Sequence, residues 1–418
     1  MQDSKLAVNG GEKVRTESFP PYYPGAMMYD RKEADLAARV LAAHSPFRFY
    51  GPDLQGTVKE FEREFSAALQ VKHSLGVTSG TAAVICALKA AGIGPGDKVV
   101  VPACTFIASA GAVVCAGAVP VFAEIDDSLS MDPDCLEDII DENVRAIMPV
   151  PILGNPCRID RLMEIARRKH VLVIEDAAQS CGATYHGKPV GTFGDVNAFS
   201  LQMNKILTTG EGGVVAANDE KLYERAVRYH DQGMYREKEG FLAADEKADI
   251  FIGQNYRMSE ITGAVALEQI KKLPEMLRRM RAAKAVLKAE LRGVKGFSFR
   301  RINDEQGDAG NAMILLLDDA ARVPAFLRAV QAEGIPLGRL YNGEPVFMQP
   351  QLLYQRTADA NGFPFNTVVP PVRYSADMCP RSTQILRRNV TMMIGTTWTD
   401  KDTDDVIRAV KKVAAAIL

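Results

Sequence analysis

The sequence predicts an α/β protein: a large domain with a mostly parallel sheet flanked by helices, followed by a smaller C-terminal α+β domain. Three observations carry this expectation. From about residue 73 to residue 217, short β-branched runs such as KVVVPA and PVFAEI alternate with helix-length segments. That alternation is the signature of parallel strands joined by helical crossovers. Beyond about residue 290 the texture changes, with FSFRRI, NAMILLL and VTMMIGTTW reading as strands around the helix VPAFLRAVQAEG. The chain of 418 residues, 47% hydrophobic and 24% charged, is long enough for a large core and two such domains.

The division expected is an irregular N-terminal arm over 1–30, a large domain over 31–285 and a small domain over 286–418. EADLAARVLAA (33–43) and VKEFEREFSAAL (58–69) carry helical periodicity. SGTAAVICALKAAG (79–92) is a helix, followed by the strand KVVVPA, a helix from Phe106 and the strand PVFAEI. The uncharged run Val99–Ala123 is long enough to suggest a membrane span. Pro102 and Pro120 and the change of texture within it fit a buried strand, helix and strand better. RAIMPVPIL, the helix IDRLMEIARRKH, and the strands VLVIEDA, GDVNAFSLQ and GGVVAAN complete the alternation. A long helix is expected from Met258, its basic stretch MLRRMRAAKAVLKAEL being a solvated face. The last helix opens on capping signals at Thr399 and Asp400.

Net charge is −2, so no basic field points to nucleic acid or a membrane surface. Five histidines lie scattered without metal spacing. Seven cysteines, an odd number without a CxxC, read as reduced and mostly buried thiols of a cytoplasmic protein. MQDSKLAVNGGEKVRTESFPPYYPG lacks the apolar core of a signal peptide.

Chemistry concentrates in four stretches. GVTSGTAAV opens a polar turn directly into a helix, which presents free N–H groups to an anion, although a Ser there also reads as a simple N-cap. VLVIEDAAQS ends a strand in Glu175-Asp176, at the sheet edge where α/β proteins bind ligands. A carboxylate there can hold a cationic ring nitrogen, or can cap the next turn; Gln179 lies three residues on. FSLQMNKILTTGEGG places Ser200 and Lys205 before a glycine turn, and Lys205 alone reads as an ordinary solvated lysine. GQNYRMSE offers Asn255 and Arg257 on a polar loop. Together, a phosphate cradle, an acid and a strand-end lysine are the parts that pyridoxal 5′-phosphate (PLP) needs: the lysine bonds the aldehyde, and the acid keeps the ring protonated. No metal constellation competes.

The order SGTAA, VPACTF, IEDAAQS, FSLQMNKILTTGEGG and GQNYRMSE resembles the DegT-type sugar aminotransferases, a family of fold-type I PLP-dependent enzymes. The resemblance runs from about residue 30 to the last helix. It implies Lys205 as the Schiff-base lysine, Asp176 on the pyridine nitrogen and Gln179 on the ring hydroxyl. It also implies Gly80, Thr81, Ala82 and Ser200 on the phosphate and Phe106 stacked on the ring. Asn255 is implied to reach the phosphate from the neighbouring subunit of a homodimer with shared active sites, and Arg257 is a weaker candidate.

The function so implied moves an amino group from glutamate or glutamine to a keto sugar, keto-cyclitol or keto sugar acid. The Gln202 wording is similar to scyllo-inosose aminotransferases, and FSFRRINDEQGD and TMMIGTTWTDKD look like octulosonate-type transaminases. LYNGEPVFMQPQL lacks the histidine that many relatives acting on nucleotide-linked sugars carry, which speaks against such an acceptor. The alternatives are a sugar dehydratase of the same fold, opposed by the presence of Lys205, and a non-catalytic PLP- or sugar-binding regulator, for which no DNA-binding helix pair is present.

Overall fold

A computed structural model describes residues 5–239 and 249–418. The β-branched runs form strands β1 (His73–Val77), β2 (Lys98–Pro102), β3 (Val119–Ala123), β4 (Val144–Ile147), β5 (Leu172–Val173), β6 (Val196–Ser200) and β7 (Gly213–Ala217). β3, β2, β4 and β5 pair in parallel in that order. The chain just past β5 continues the parallel ladder onto β6: Ala177 donates its N–H to Ala198 O at 2.8 Å, and Ala198 donates to Glu175 O at 2.9 Å. β7 runs antiparallel to both β6 and β1. The sheet order is therefore β3-β2-β4-β5-β6-β7-β1, mostly parallel as expected.

Helices α1 (Arg31–Ala42), α2 (Thr57–Leu69), α3 (Gly80–Ala90), α4 (Ile107–Cys115), α5 (Ile159–Lys169), α6 (Glu220–His230) and α7 (Glu260–Leu291) cover this sheet. Apolar residues occupy nearly every turn of α3, and most of the helix is buried against the sheet. The uncharged run of membrane-span length becomes β2, α4 and β3, and no described helix is long and apolar enough to cross a membrane. The basic stretch of α7 is mostly a solvated face, where Arg278 and Arg279 pair with Glu275 at 2.6 and 2.7 Å. Lys284 corrects that reading, because it is buried and paired with Asp308. The cysteines are all free; Cys86, Cys104, Cys157 and Cys181 are buried, but Cys115 is exposed against expectation.

In the C-terminal part, β8 (Phe297–Phe299), β9 (Ala312–Leu317) and β10 (Asn389–Met393) form an antiparallel sheet in that order. Helices α8 (Val323–Ala332), α9 (Pro380–Arg387) and α10 (Asp400–Ile417) accompany it. Thr399 caps α10 through a capping box whose acid is Asp402.

The N-terminal arm is tied to this small sheet layer by a buried guanidinium. Arg15, 6% exposed, donates to Asp402 Oδ1 at 2.7 Å and to Asp405 Oδ2 at 3.1 Å. Burial raises the pKa of both acids, but hydrogen bonds from Thr399 and Arg15 to Asp402, and from Lys401 and Arg408 to Asp405, leave both below the usual carboxylate value. Arg15→Ala leaves Asp402 its Thr399 bonds and Asp405 its partners Lys401 and Arg408, but removes a buried guanidinium that bonds both acids, and is expected to cost about 2 kcal/mol in urea unfolding at pH 7. Acids held low stabilise the fold above their unfolded pKa. The deficit should therefore narrow as pH falls below about 4.

Candidate active site

A cavity of about 890 Å³ opens beyond the carboxyl ends of the strands. Its lining includes Gly80, Thr81, Phe106, Asp176, Gln179, Ser200 and Lys205, so seven of the nine candidate residues meet in one place. The strand order explains this: β1, β2, β5 and β6 each end at the same edge and release their following residues into it.

The lysine motif folds back on itself directly after β6. Leu201 donates its N–H to Gly212 O at 2.8 Å, Met203 donates to Gly210 O at 2.9 Å, and Lys205 donates to Gln202 O at 2.9 Å. Gly210 closes the turn at φ +83°, the left-handed region that favours glycine. This turn directs Lys205 into the cavity instead of into solvent. Burial pushes its pKa below the ordinary lysine value, while the nearby Asp176 opposes the shift. A lysine so placed gives up its proton more readily than an exposed one, as a nucleophilic amine must.

The two acids at the end of VLVIEDA divide their work. Glu175, 2% exposed, accepts N–H bonds from Gly191, Phe193 and Gly194 at 3.1, 2.7 and 3.0 Å and holds that loop. Asp176, 5% exposed, lines the cavity. Its Oδ2 accepts from Ser109 Oγ at 2.6 Å, and its Oδ1 accepts from Ala178 N–H at 3.2 Å, so it caps the turn and faces the cavity at once. Burial raises the Asp176 pKa, opposed by Ser109, Ala178 and the lysine. A buried carboxylate with few partners binds a cation strongly.

The turn before α3 is built by close backbone approach. Ser79 is the N-cap, its Oγ accepting from Ala82 N–H at 3.1 Å. That bond occupies the Ala82 amide, and Ala82 lies behind the lining, whereas Gly80 and Thr81 lie on it. A Cβ on Gly80 would stand 2.5 Å from Ser200 Cβ, so only glycine brings the Ser200 hydroxyl against the helix N-terminus. The GEGG turn is set by a similar constraint: a Cβ on Gly213 would meet Ser79 O at 2.3 Å. Its last glycine lets β7 pass the α3 turn. Gln202 also has a local task, its Oε1 accepting from Asn204 N–H at 2.8 Å.

Phe106, 56% exposed at the start of α4, forms a wall of the cavity and is no core aromatic. Gln179 Nε2 donates to Tyr341 Oη at 2.9 Å. Asn255 lies outside the lining and is exposed, beside Asp231 in an isolated bridge. Arg257 is committed within its own chain, donating to Asp231 Oδ1 at 2.5 Å and to Gln232 Oε1 at 3.2 Å. Among the described residues no cluster could hold a metal ion.

Several lining residues escaped the sequence reading: Ser109, Tyr22, Asn311 and Tyr341. Ser109 alone carried a local signal, one helical turn after Phe106. The other three come from the arm and the small sheet, and folding alone brings them here.

GDP-perosamine synthase of Caulobacter vibrioides is 42% identical over 53% of this chain and 58% of its own length. The chain thus spans less than two thirds of that relative. L-glutamine:2-deoxy-scyllo-inosose aminotransferase of Streptomyces kanamyceticus is 32% identical over 99% of this chain and 97% of its own. Among solved structures, S. venezuelae DesV in complex with a ketimine intermediate superposes with a TM-score of 0.80 at 28% identity, covering 95% of this chain and 99% of its own. Residues 50–411 match the family described as DegT/DnrJ/EryC1/StrS aminotransferases, and the chain belongs to that family.

Proposed function

We propose that this protein is a PLP-dependent aminotransferase that moves an amino group from glutamate or glutamine to a keto sugar, keto-cyclitol or keto sugar acid. The observation that carries the reading is the meeting of the half-buried Lys205 and the buried Asp176 with the N-terminus of α3 in one cavity. An amine, an acid and an anion cradle match the aldehyde, ring nitrogen and phosphate of one cofactor. Residues 31–285 would hold that cofactor, and residues 1–30 and 286–418 would close the substrate side.

When bound, PLP supplies an aldehyde for amine exchange and a ring that takes up the electrons released at the donor Cα. Asp176 keeps the ring nitrogen protonated by charge pairing. The first N–H groups of α3, at Gly80 and Thr81, have no helical acceptor and bind the phosphate together with the Ser200 hydroxyl. Phe106 covers one face of the ring. Gln179 holds the ring hydroxyl while the Tyr341 phenol steadies its carboxamide. Lys205, whose deprotonation burial makes easier, takes the proton from the donor Cα and returns one to the carbon of the acceptor. We extend the reading to a homodimer in which Asn255 serves the neighbouring copy's phosphate, in keeping with its place outside its own cavity. A relative matched almost end to end is named for L-glutamine and 2-deoxy-scyllo-inosose, which favours those two substrate types.

The test is to follow each half-reaction separately. Glutamine or glutamate should convert the yellow aldehyde form to the amine form with release of a keto acid, and a ketone should reverse the change. An enzyme that holds PLP but exchanges with neither amino acid overturns this reading.

A further inference from the structure

The family match begins at residue 50, yet part of the cavity wall comes from the arm before it. The arm is a strap laid over both parts of the molecule. Ala7 and Val14 donate N–H bonds to the Glu333 carboxylate at 2.9 and 3.1 Å, and Arg15 is fixed on Asp402 and Asp405. Further on, Thr396 Oγ1 donates to Pro24 O at 2.7 Å, Lys272 Nζ to Met28 O at 2.9 Å, and Tyr29 Oη to Thr208 O at 3.1 Å. Between these anchors Tyr22 and Tyr23 line the cavity.

Tyr22 Oη accepts from Asn311 Nδ2 at 3.4 Å, and Asn311 is 2% exposed with its Oδ1 unpaired. The phenolic hydrogen of Tyr22 therefore remains for another acceptor. Leu340, Tyr341 and Met393 stand with these residues on the part of the lining supplied by the arm and the small sheet layer, and none of them is charged. Phenols and a carboxamide donate and accept hydrogen bonds without charge, which suits the hydroxyls and keto oxygen of a polyol. An amino-acid donor presents carboxylates, for which this wall has no cation.

We infer that Tyr22 is a specificity-determining residue that donates a hydrogen bond to a hydroxyl or keto oxygen of an uncharged polyol ketone, the acceptor. The inference rests on the aminotransferase reading above and deepens it by naming the acceptor class and the segment that selects it. Burial pushes the Tyr22 pKa up to about 12, so the phenol keeps its hydrogen throughout the ordinary working range.

The experiment compares wild type and Tyr22→Phe as full-length holoenzymes, with 2-deoxy-scyllo-inosose, an 8-keto sugar acid and a nucleotide-linked 4-keto sugar as probes. The acceptor half-reaction is measured by discharge of the amine form, and the donor half-reaction with glutamine and glutamate. The expected result is that wild type prefers the uncharged cyclitol. The variant should lose about tenfold in kcat/KM with it, while the donor half-reaction changes by less than about threefold and the melting temperature stays level. A preference for either charged ketone, an unchanged acceptor rate, or an equal loss in both half-reactions overturns the proposal. Wild type that accepts an amino group but discharges to no ketone overturns the acceptor half of the underlying reading, and this inference with it. Failure of the donor half-reaction in wild type is the separate sign that the aminotransferase reading itself is wrong.

Discussion

Lys205→Ala is expected to lower the transamination rate by about 10⁴-fold, the upper end of what a positioned acid–base group supplies. The lysine has two tasks in the proposed reaction, bonding the cofactor aldehyde and moving the proton at the donor Cα, and alanine can do neither. Borohydride reduction of the wild-type holoenzyme should leave a pyridoxyl group on the peptide containing Lys205, and the variant should leave none. The fold should survive the change. Lys205 has no ion-pair partner among the described residues, and burying its amine disfavours the charged form, so alanine removes a desolvation cost instead of a support. The melting temperature of the cofactor-free variant should thus match or exceed wild type, which separates lost chemistry from lost structure. A variant that transaminates at more than about one hundredth of the wild-type rate, or a pyridoxyl group mapped to another lysine, would remove Lys205 from the centre of the mechanism.

Lys205 and Asp176 were legible because their signals are local. Each is a charged residue at the end of an apolar strand, and strand ends of a parallel sheet converge on one edge. Gly80 was legible for a related reason, since a small turn opening into a helix presents its N–H groups wherever the helix points. What the local pattern did not carry is the division of labour between neighbours. Glu175 and Asp176 look alike in sequence, but successive side chains point to opposite faces of an extended segment, one toward the Gly191–Gly194 loop and the other toward the cavity. The last glycine of GEGG makes room for Ser79 O, a contact between distant segments that the local pattern does not announce.

The substrate wall was illegible for a deeper reason. Tyr22 and Asn311 are separated by 289 residues, and Gln179 and Tyr341 by 162. No periodicity or motif links such pairs; only the strap and the crossing of α7 into the small sheet layer bring them together. Tyr341 illustrates the point. It lies in the LYNGEPV segment, but its own role depends on backbone dihedrals that a tyrosine does not announce. Tyr341 and Asn342 both adopt left-handed conformations, at φ 49° and 57°, within a turn held by Leu340 N–H on Asn389 Oδ1 at 2.7 Å. Left-handed non-glycine residues cost about 1–3 kcal/mol each and persist where surrounding bonds enforce them. Here the enforced turn is what brings a phenol to Gln179.

Asp176→Asn should lower the rate by about 10²–10³-fold, because it replaces an ion with an amide of the same shape at the point where ring charge must be stabilised. The amide oxygen can still accept from Ser109 or Ala178, so the fold should lose no more than about 1 kcal/mol. The electrostatic loss is therefore isolated from a packing loss. The pH dependence of cofactor binding gives an independent check whose sign follows from burial. In the free protein, burial raises the Asp176 pKa, so protonation sets in at a higher pH than for an exposed aspartate. The protonated acid cannot pair with a protonated ring nitrogen. Wild-type affinity for PLP should accordingly fall as pH drops through that raised pKa, beyond the fall caused by protonation of the cofactor phosphate. Asp176→Asn has no proton to take up at this position, so its binding should be weaker at neutral pH but flatter toward acid. The two curves should converge at low pH. Parallel curves would show that Asp176 does not pair with the ring nitrogen, and would leave it the narrower task of capping the turn at Ala178.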